Sequence, residues 1–195
     1  MSTLISPIVQ NEETTFKAES SPPKQSCPIN VQRTFKKNVS MRDLTDRDLL
    51  ARLVSLFKES PQVSNLMPLL VMYHTEYDMS VWSYDSHSER EKIVNNFIQI
   101  ALTVTASLKS AGYWCDFIDP TSGMPYHGSY CNETFTECDE DFHRLDDSLS
   151  LEDIGCCRAL MHCDWGFNVF AGLLLTNAPK EVLIQAYTSA NFSAA

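Results

Sequence analysis

Two adjacent thiols, Cys156 and Cys157, stand in the segment LEDIGCCRALMHCDWG, where a polar, acid-rich stretch (Ser148 to Asp153) meets a β-like run. A thiolate is a nucleophile and a soft metal ligand. A pair held at a loop-to-strand junction can therefore be offered to a metal or to an electrophile. The neighbouring acids Glu152 and Asp153 oppose ionisation of a thiol beside them. The help must come from backbone N–H groups, from Arg158, or from a metal, which deprotonates the thiol that coordinates it. The metal is the favoured source.

Other readings of the same residues compete. Cysteine is among the most buried residue types, and an adjacent pair in a β-run can simply fill a core. Neighbours on a strand point to opposite faces, so at most one thiol enters the core while the other faces out. A zinc site would use Cys156 or Cys157 with His162 and Cys163, and with Cys131 or Cys138. Structural zinc sites favour C-x2-4-C pairs, and no two cysteines here have that spacing. His127 and His143 read as hydrogen-bonded loop or surface residues, and no HExxH or Ser-His-Asp pattern occurs. Trp82, Trp114 and Trp165 read as hydrophobic anchors, and Tyr113, Phe117 and Asp119 as residues that shape the fold. Trp165, at the tip of an expected hairpin, is the candidate for partner contact, since exposed aromatics concentrate binding energy. Its alternative is a ring folded back over the sheet.

The rest of the chain must supply a frame. Its 195 residues are 44% apolar and 21% charged, enough for one core plus a tail. The first residues, MSTLISPIVQNEETTF, lack the basic and apolar regions of a secretory signal. No apolar run approaches the ~20 residues of a spanning helix. Seven cysteines, an odd number without an export signal, are expected to be reduced thiols. A net charge of −10 argues against nucleic acid as a partner.

Residues 1–40 are Ser-, Pro- and Glu-rich and read as a mobile arm, with residues 41–195 forming a single α+β domain. Thr45 is placed to cap a helix through Leu49, Leu53 and Phe57 that ends before Pro61. Leu66 to Tyr73 reads as a buried strand with Pro68 at its start or on an edge, and Met79 to Tyr84 as its hairpin partner. A helix is expected from Ser88 to about Ala111, with a capping box from Ser88 to Glu91, a stripe of Ile93, Phe97, Ile100, Ala101, Val104 and Leu108, and a stop at Gly112. Tyr113 to Ile118 reads as a strand before a turn from Asp119 to Gly123. Gly155 to Cys163 and Phe167 to Thr176 read as a hairpin turning at Asp164-Trp165-Gly166, and Pro179 opens a last helix through Tyr187. Helices interleaved with hairpins predict an α+β layered domain with a mixed, mostly antiparallel sheet and flanking helices.

The segments MSVW, GYWCDFIDPTSG, LEDIGCC and WG…G…TNA, in this order, resemble the CblD family of cobalamin-trafficking proteins (methylmalonic aciduria and homocystinuria type D). The match runs from about Leu66 to Ala178, leaving the first 40 residues outside it and a short insertion at Asp146 to Leu149. The resemblance implies a nitroreductase-like fold that has lost flavin. It implies an adaptor that works with the cobalamin-processing protein CblC and routes cofactor to methionine synthase in the cytoplasm and to methylmalonyl-CoA mutase in mitochondria. Cobalamin would be held only by the partner. Cys156, the first thiol of GCC, would coordinate its cobalt, with Asp153, Gly155, Cys157 and Trp165 supporting the site or its interface and Cys157 as the packed neighbour. A soft thiolate suits an axial position on a corrin cobalt whose equatorial positions are already filled. The competing function is a flavin- or thiol-dependent reductase with a nitroreductase-like pocket, for which no Gly-rich or basic phosphate cradle is evident among the six glycines. No zinc and no flavin are expected.

Overall fold

Two runs, MPLLVMYH and VFAGLLLT, are apolar without alternation, the pattern of strands covered on both faces. They become β2 (Met67–His74) and β6 (Val169–Thr176), which pair antiparallel along their whole length, Met67 opposite Thr176 and His74 opposite Val169. Two shorter strands flank them: β1 (Lys37–Ser40) on β2 and β3 (Cys115–Phe117) on β6, giving the order β1-β2-β6-β3. A computed structural model describes residues 35–57, 66–128 and 133–193. All of them fall in the second of the two units into which the chain divides, residues 32–195. The architecture is α+β. The expected mixed sheet is corrected, because every described ladder is antiparallel.

Side-chain alternation divides the core in two. Leu69, Val71, Tyr73, Phe170 and Leu174 face helices α2 (Tyr84–Ser110) and α3 (Lys180–Ser193). Leu70, Met72, Ala171, Leu173 and Leu175 face helix α1 (Arg47–Leu56) and the chain from Phe135 to Leu160. The expected stripe of α2, Ile93 to Leu108, is buried throughout and the helix gives way to Gly112. Helix and sheet approach so closely at Gly172 that a Cβ there would lie 2.5 Å from the Phe97 ring. The turn at Asp119 to Gly123 forms, with the Gly123 N–H donating to the Asp119 carbonyl at 2.8 Å. Strand β3 is the core of the expected Tyr113 to Ile118 run, and α3 follows Pro179 but continues past Tyr187.

Several local expectations give way. Lys37–Ser40, assigned to the arm, is a strand paired with β2, and the rest of that arm, residues 1–34, lies outside the described residues. The expected hairpin partner, Met79 to Tyr84, is instead a loop running into α2. Ser83 is extended and caps the helix, its hydroxyl accepting the Ser86 N–H while the Ser86 hydroxyl accepts the Ser83 N–H, so the helix opens a turn before Ser88. At α1 the cap is Asp46 and not Thr45, its carboxylate accepting the N–H groups of Asp48 and Leu49 at 3.1 Å. Pro68 sits at the start of β2, beyond the reach of β1, where its missing N–H costs no ladder bond. Nor do the last two β-runs form a hairpin with each other. Arg158–His162 (β5) turns back onto the acid-rich stretch Leu149–Asp153 (β4) as a separate two-stranded sheet, while β6 goes to the centre of the large one. The fully apolar β6 needs neighbours on both edges, which one hairpin cannot supply.

A charged latch ties α1 to the chain preceding β4. Arg52 reaches Asp139 through both terminal nitrogens, at 2.5 and 2.6 Å, and Asp141 at 2.6 Å, and Arg144 joins Asp141 at 2.5 Å to the capping Asp46. The Leu49 N–H holds the Asp46 carboxyl below its ordinary value, and Arg144 does the same for Asp141. Among the described residues no helix is long and apolar enough to cross a membrane.

Two measurements check this frame. Gly172→Ala should cost about 1–3 kcal/mol by overpacking. Combined with Phe97→Leu, it should cost less than the sum of the two changes, as read by urea unfolding. The latch predicts acid sensitivity. Carboxylates with lowered pKa stay ionised in the fold while their unfolded counterparts take up protons near pH 4. Their contribution is present above that pH and lost below it, so Tm should fall between pH 5 and 3, less steeply in Arg144→Ala.

Candidate functional site

Strands β4 and β5 pair from Leu149 opposite His162 at the base to Asp153 opposite Arg158 at the tip. The base is packed. Leu149, Leu160 and His162 are buried, and the His162 ring stacks on Trp165 with centroids 4.0 Å apart. Burial ends along the hairpin, and Asp153, Gly155, Cys156, Cys157 and Arg158 are exposed. The turn is Ile154-Gly155-Cys156-Cys157, closed by the Ile154 N–H on the Cys157 carbonyl at 3.0 Å. Asp153 organises it, its carboxylate accepting the Gly155 N–H at 2.8 Å. Gly155 has φ +89, the left-handed region that a side chain resists.

Both thiols lie in this turn, their sulfurs 3.6 Å apart. This corrects the expectation that strand alternation buries one of them: Cys157 is not packed, because alternation holds on a strand and the pair sits where the strand has ended. Hydrogen bonding to Cys156 is the main cause that raises the Cys157 thiol above its ordinary value, helped by slight burial and by the charges of Cys156 and Asp153. Two touching sulfurs cannot both ionise cheaply, so one of the pair keeps a proton and can donate it to the other. Arg158, one expected source of ionising help, is 3.4 Å from Glu140.

A third thiol is exposed on the chain that leads into this hairpin. Cys138, exposed, feels the charge of Cys157, although burial and Glu137 do more to raise it. The sequence separates Cys138 from the pair by a stretch without period, and the Arg158–Glu140 contact brings the chain just after Cys138 to the hairpin tip. Cys115, by contrast, is the buried first residue of β3, its thiol pushed up to about 12 chiefly by burial.

The zinc rival cannot assemble from the pair and His162. Four residue steps of the ladder, about 14 Å, separate the tip thiols from the hairpin base. His162, Cys163 and Asp164 do bring ligand-type atoms within 4.8 Å of one another. The His162 Nδ1, however, already accepts the Asp164 N–H at 3.1 Å. Cys131 lies outside the described residues. Trp165 takes the folded-back alternative: half-buried, it stacks on His162 and stands 5.1 Å from the His74 ring. Trp114 anchors as expected, edge-on to Phe57, but Trp82 does not: it is among the most exposed apolar side chains described. His127 is half-exposed, bonded through Nδ1 to the buried Asp116 at 2.9 Å. A cavity of about 500 Å³ between the start of β2, α1 and Pro179 is lined by no thiol.

An α+β frame that carries an exposed thiol pair outward on a hairpin defines a thiol-presenting protein. The chain matches the family model described as methylmalonic aciduria and homocystinuria type D protein over residues 9–187, and it belongs to that family. The match extends well beyond the expected Leu66 to Ala178 and includes most of the first 40 residues. It is 37% identical over 169 residues to the cobalamin trafficking protein CblD of Mus musculus and to that of Homo sapiens, covering 86% of this chain and 49% of each relative. It is 34% identical over 184 residues to that of Gallus gallus, covering 94% of this chain and 55% of the relative. The chain thus spans about half the length of these curated relatives.

The geometry is tested by a reagent that needs two neighbouring sulfurs. Phenylarsine oxide should bind the native protein and lose that binding in Cys156→Ser and in Cys157→Ser. Gly155→Ala, which strains the turn by about 1–2 kcal/mol, should weaken capture without unfolding the domain, as followed by peptide mass mapping.

Proposed function

We propose that this chain is an adaptor in cobalamin trafficking and not an enzyme. It offers Cys156 as an axial thiolate to the cobalt of cobalamin held by a separate processing protein, CblC, and directs cargo toward methionine synthase and methylmalonyl-CoA mutase. The observation that carries this reading is the projecting thiol turn, with both sulfurs exposed at the hairpin tip. A nucleophile that turned over a small substrate would gain from a concave, water-excluding wall. A ligand meant for a cofactor seated in another protein needs the opposite, a convex mount that can enter the partner's cavity.

The residues divide the work. The Asp153 side chain and the left-handed Gly155 set the turn. Cys157, its proton retained, hydrogen-bonds to the sulfur of Cys156 and leaves that sulfur to coordinate. Bond formation needs no electron transfer: a sulfur lone pair forms the Co–S bond, the former axial ligand departs, and the thiol proton passes to solvent. Cobalamin is cargo here, held by the partner. A flavin-less nitroreductase-like ancestry and work in the cytoplasm, with a mitochondrial form, complete the reading. Membership of the family and the printed names of its relatives support the trafficking role.

Mixing the protein with its cobalamin-loaded partner should produce a thiolate-type change in the corrin absorption spectrum. Cys156→Ser should abolish the change, and Cys157→Ser should largely spare it. Retention of the spectrum in both single variants would overturn the assignment of Cys156, and yellow flavin bound to the purified protein would overturn the adaptor in favour of a reductase.

A further inference from the structure

The connection from β2 to α2 exposes large apolar side chains on a backbone that is held in place. Val81, Trp82 and Tyr84 are 61%, 82% and 80% exposed. Beneath them, the buried Glu89 carboxylate accepts the N–H of Glu76 at 2.9 Å and that of Tyr77 at 3.0 Å. The Asn168 side-chain amide donates to the carbonyls of Thr75 and Glu76 at 3.2 and 3.1 Å, and the Met79 N–H donates to the Phe167 carbonyl at 3.0 Å. The Ser86 hydroxyl donates to the Val81 carbonyl at 3.0 Å. A loop free to collapse would fold its tryptophan onto the protein. This one is tied from below by α2 and by the start of β6, and its rings point to water.

A fixed, exposed cluster with a tryptophan and a tyrosine has the composition of an interface anchor. Charge selects the occupant. Asp78 and Asp85, both exposed, flank the aromatic residues, and the chain carries a net charge of −10. A second copy or an anionic bilayer would bring like charges together; an apolar pocket rimmed by Lys and Arg would not. Position selects the partner. Arg90 pairs with Glu137, and three residues further on Glu140 stands 3.4 Å from Arg158 at the tip of the thiol hairpin. Arg90 stands about 9 Å along α2 from Tyr84. The aromatic cluster and the thiol turn therefore lie toward the same end of α2.

We infer that Val81, Trp82 and Tyr84 dock the protein that brings cobalamin to Cys156, in an apolar pocket with a basic rim. The inference rests on the adaptor reading and adds to it the surface that delivers the thiol to the metal. Trp82→Ala should raise the Kd for the cobalamin-loaded partner at least tenfold by calorimetry. At saturating partner it should still reach the full spectral change. Trp82→Phe should recover part of the affinity. Asp78→Lys with Asp85→Lys should weaken binding and flatten its dependence on salt. Cys156→Ser should do the reverse of Trp82→Ala, binding normally and giving no spectral change, so the two ideas fail separately. Val81→Ser is the second variant should Trp82→Ala lose its native near-ultraviolet circular dichroism. An affinity unchanged within twofold in Trp82→Ala or Val81→Ser would overturn the inference. So would self-association, or binding to phosphatidylserine vesicles, that Trp82→Ala abolishes.

Discussion

The antiparallel ladder between β2 and β6 is the constraint on which the molecule depends. Eight residue pairs run from Met67 opposite Thr176 to His74 opposite Val169, and the strands are apolar on both faces. A sheet of that kind must be covered twice. One cover is the pair of helices α2 and α3. The other is α1 with the chain from Phe135 to Leu160, and this less regular layer carries the thiols.

The site follows from how that second cover ends. Leu149, Leu160 and the His162–Trp165 stack anchor the β4–β5 hairpin on the sheet, while Arg52 and Arg144 hold the chain that leads into it. Four residues beyond its packed base the hairpin has nothing left to cover, and the turn enters water with Cys156 and Cys157 on it. The rigidity of the base and the exposure of the tip belong to one element. A sulfur offered to another protein's cofactor needs both, since a mobile thiol would lose on ordering much of what coordination returns.

What was legible locally was what one element decides for itself. The stripe of α2 needs only a helical period, the unbroken apolar run of β2 only its own composition, and the Asp119 to Gly123 turn only its own backbone. The failures involve choices between partners. Met79 to Tyr84 alternates like a strand, yet Ser83 and Ser86 complete a capping box and the segment becomes the loop that enters α2, leaving Trp82 outside. Gly155 to Cys163 and Phe167 to Thr176 carry hairpin signals, yet β6 is drawn between β2 and β3 and β5 falls back on an acid-rich stretch with little apolar content of its own. Lys37–Ser40 has no strand pattern and becomes one because the edge of β2 offers unpaired N–H and C=O groups.

By itself the sequence determined the soft chemistry of the adjacent thiols, the helices and the buried strands, and the motifs by which the chain resembles its family. Tertiary structure alone decided that both thiols leave the core, because their turn lies beyond the last residue the sheet can bury. It decided that Trp165 serves packing while Trp82 faces water, since a ring stacks only where a neighbour such as His162 is brought beneath it. It also brought the hairpin tip, through Arg158 and Glu140, and the aromatic loop toward the same end of α2. Contacts between residues distant along the chain depend on which surfaces compete for the same cover, and no local pattern records that competition.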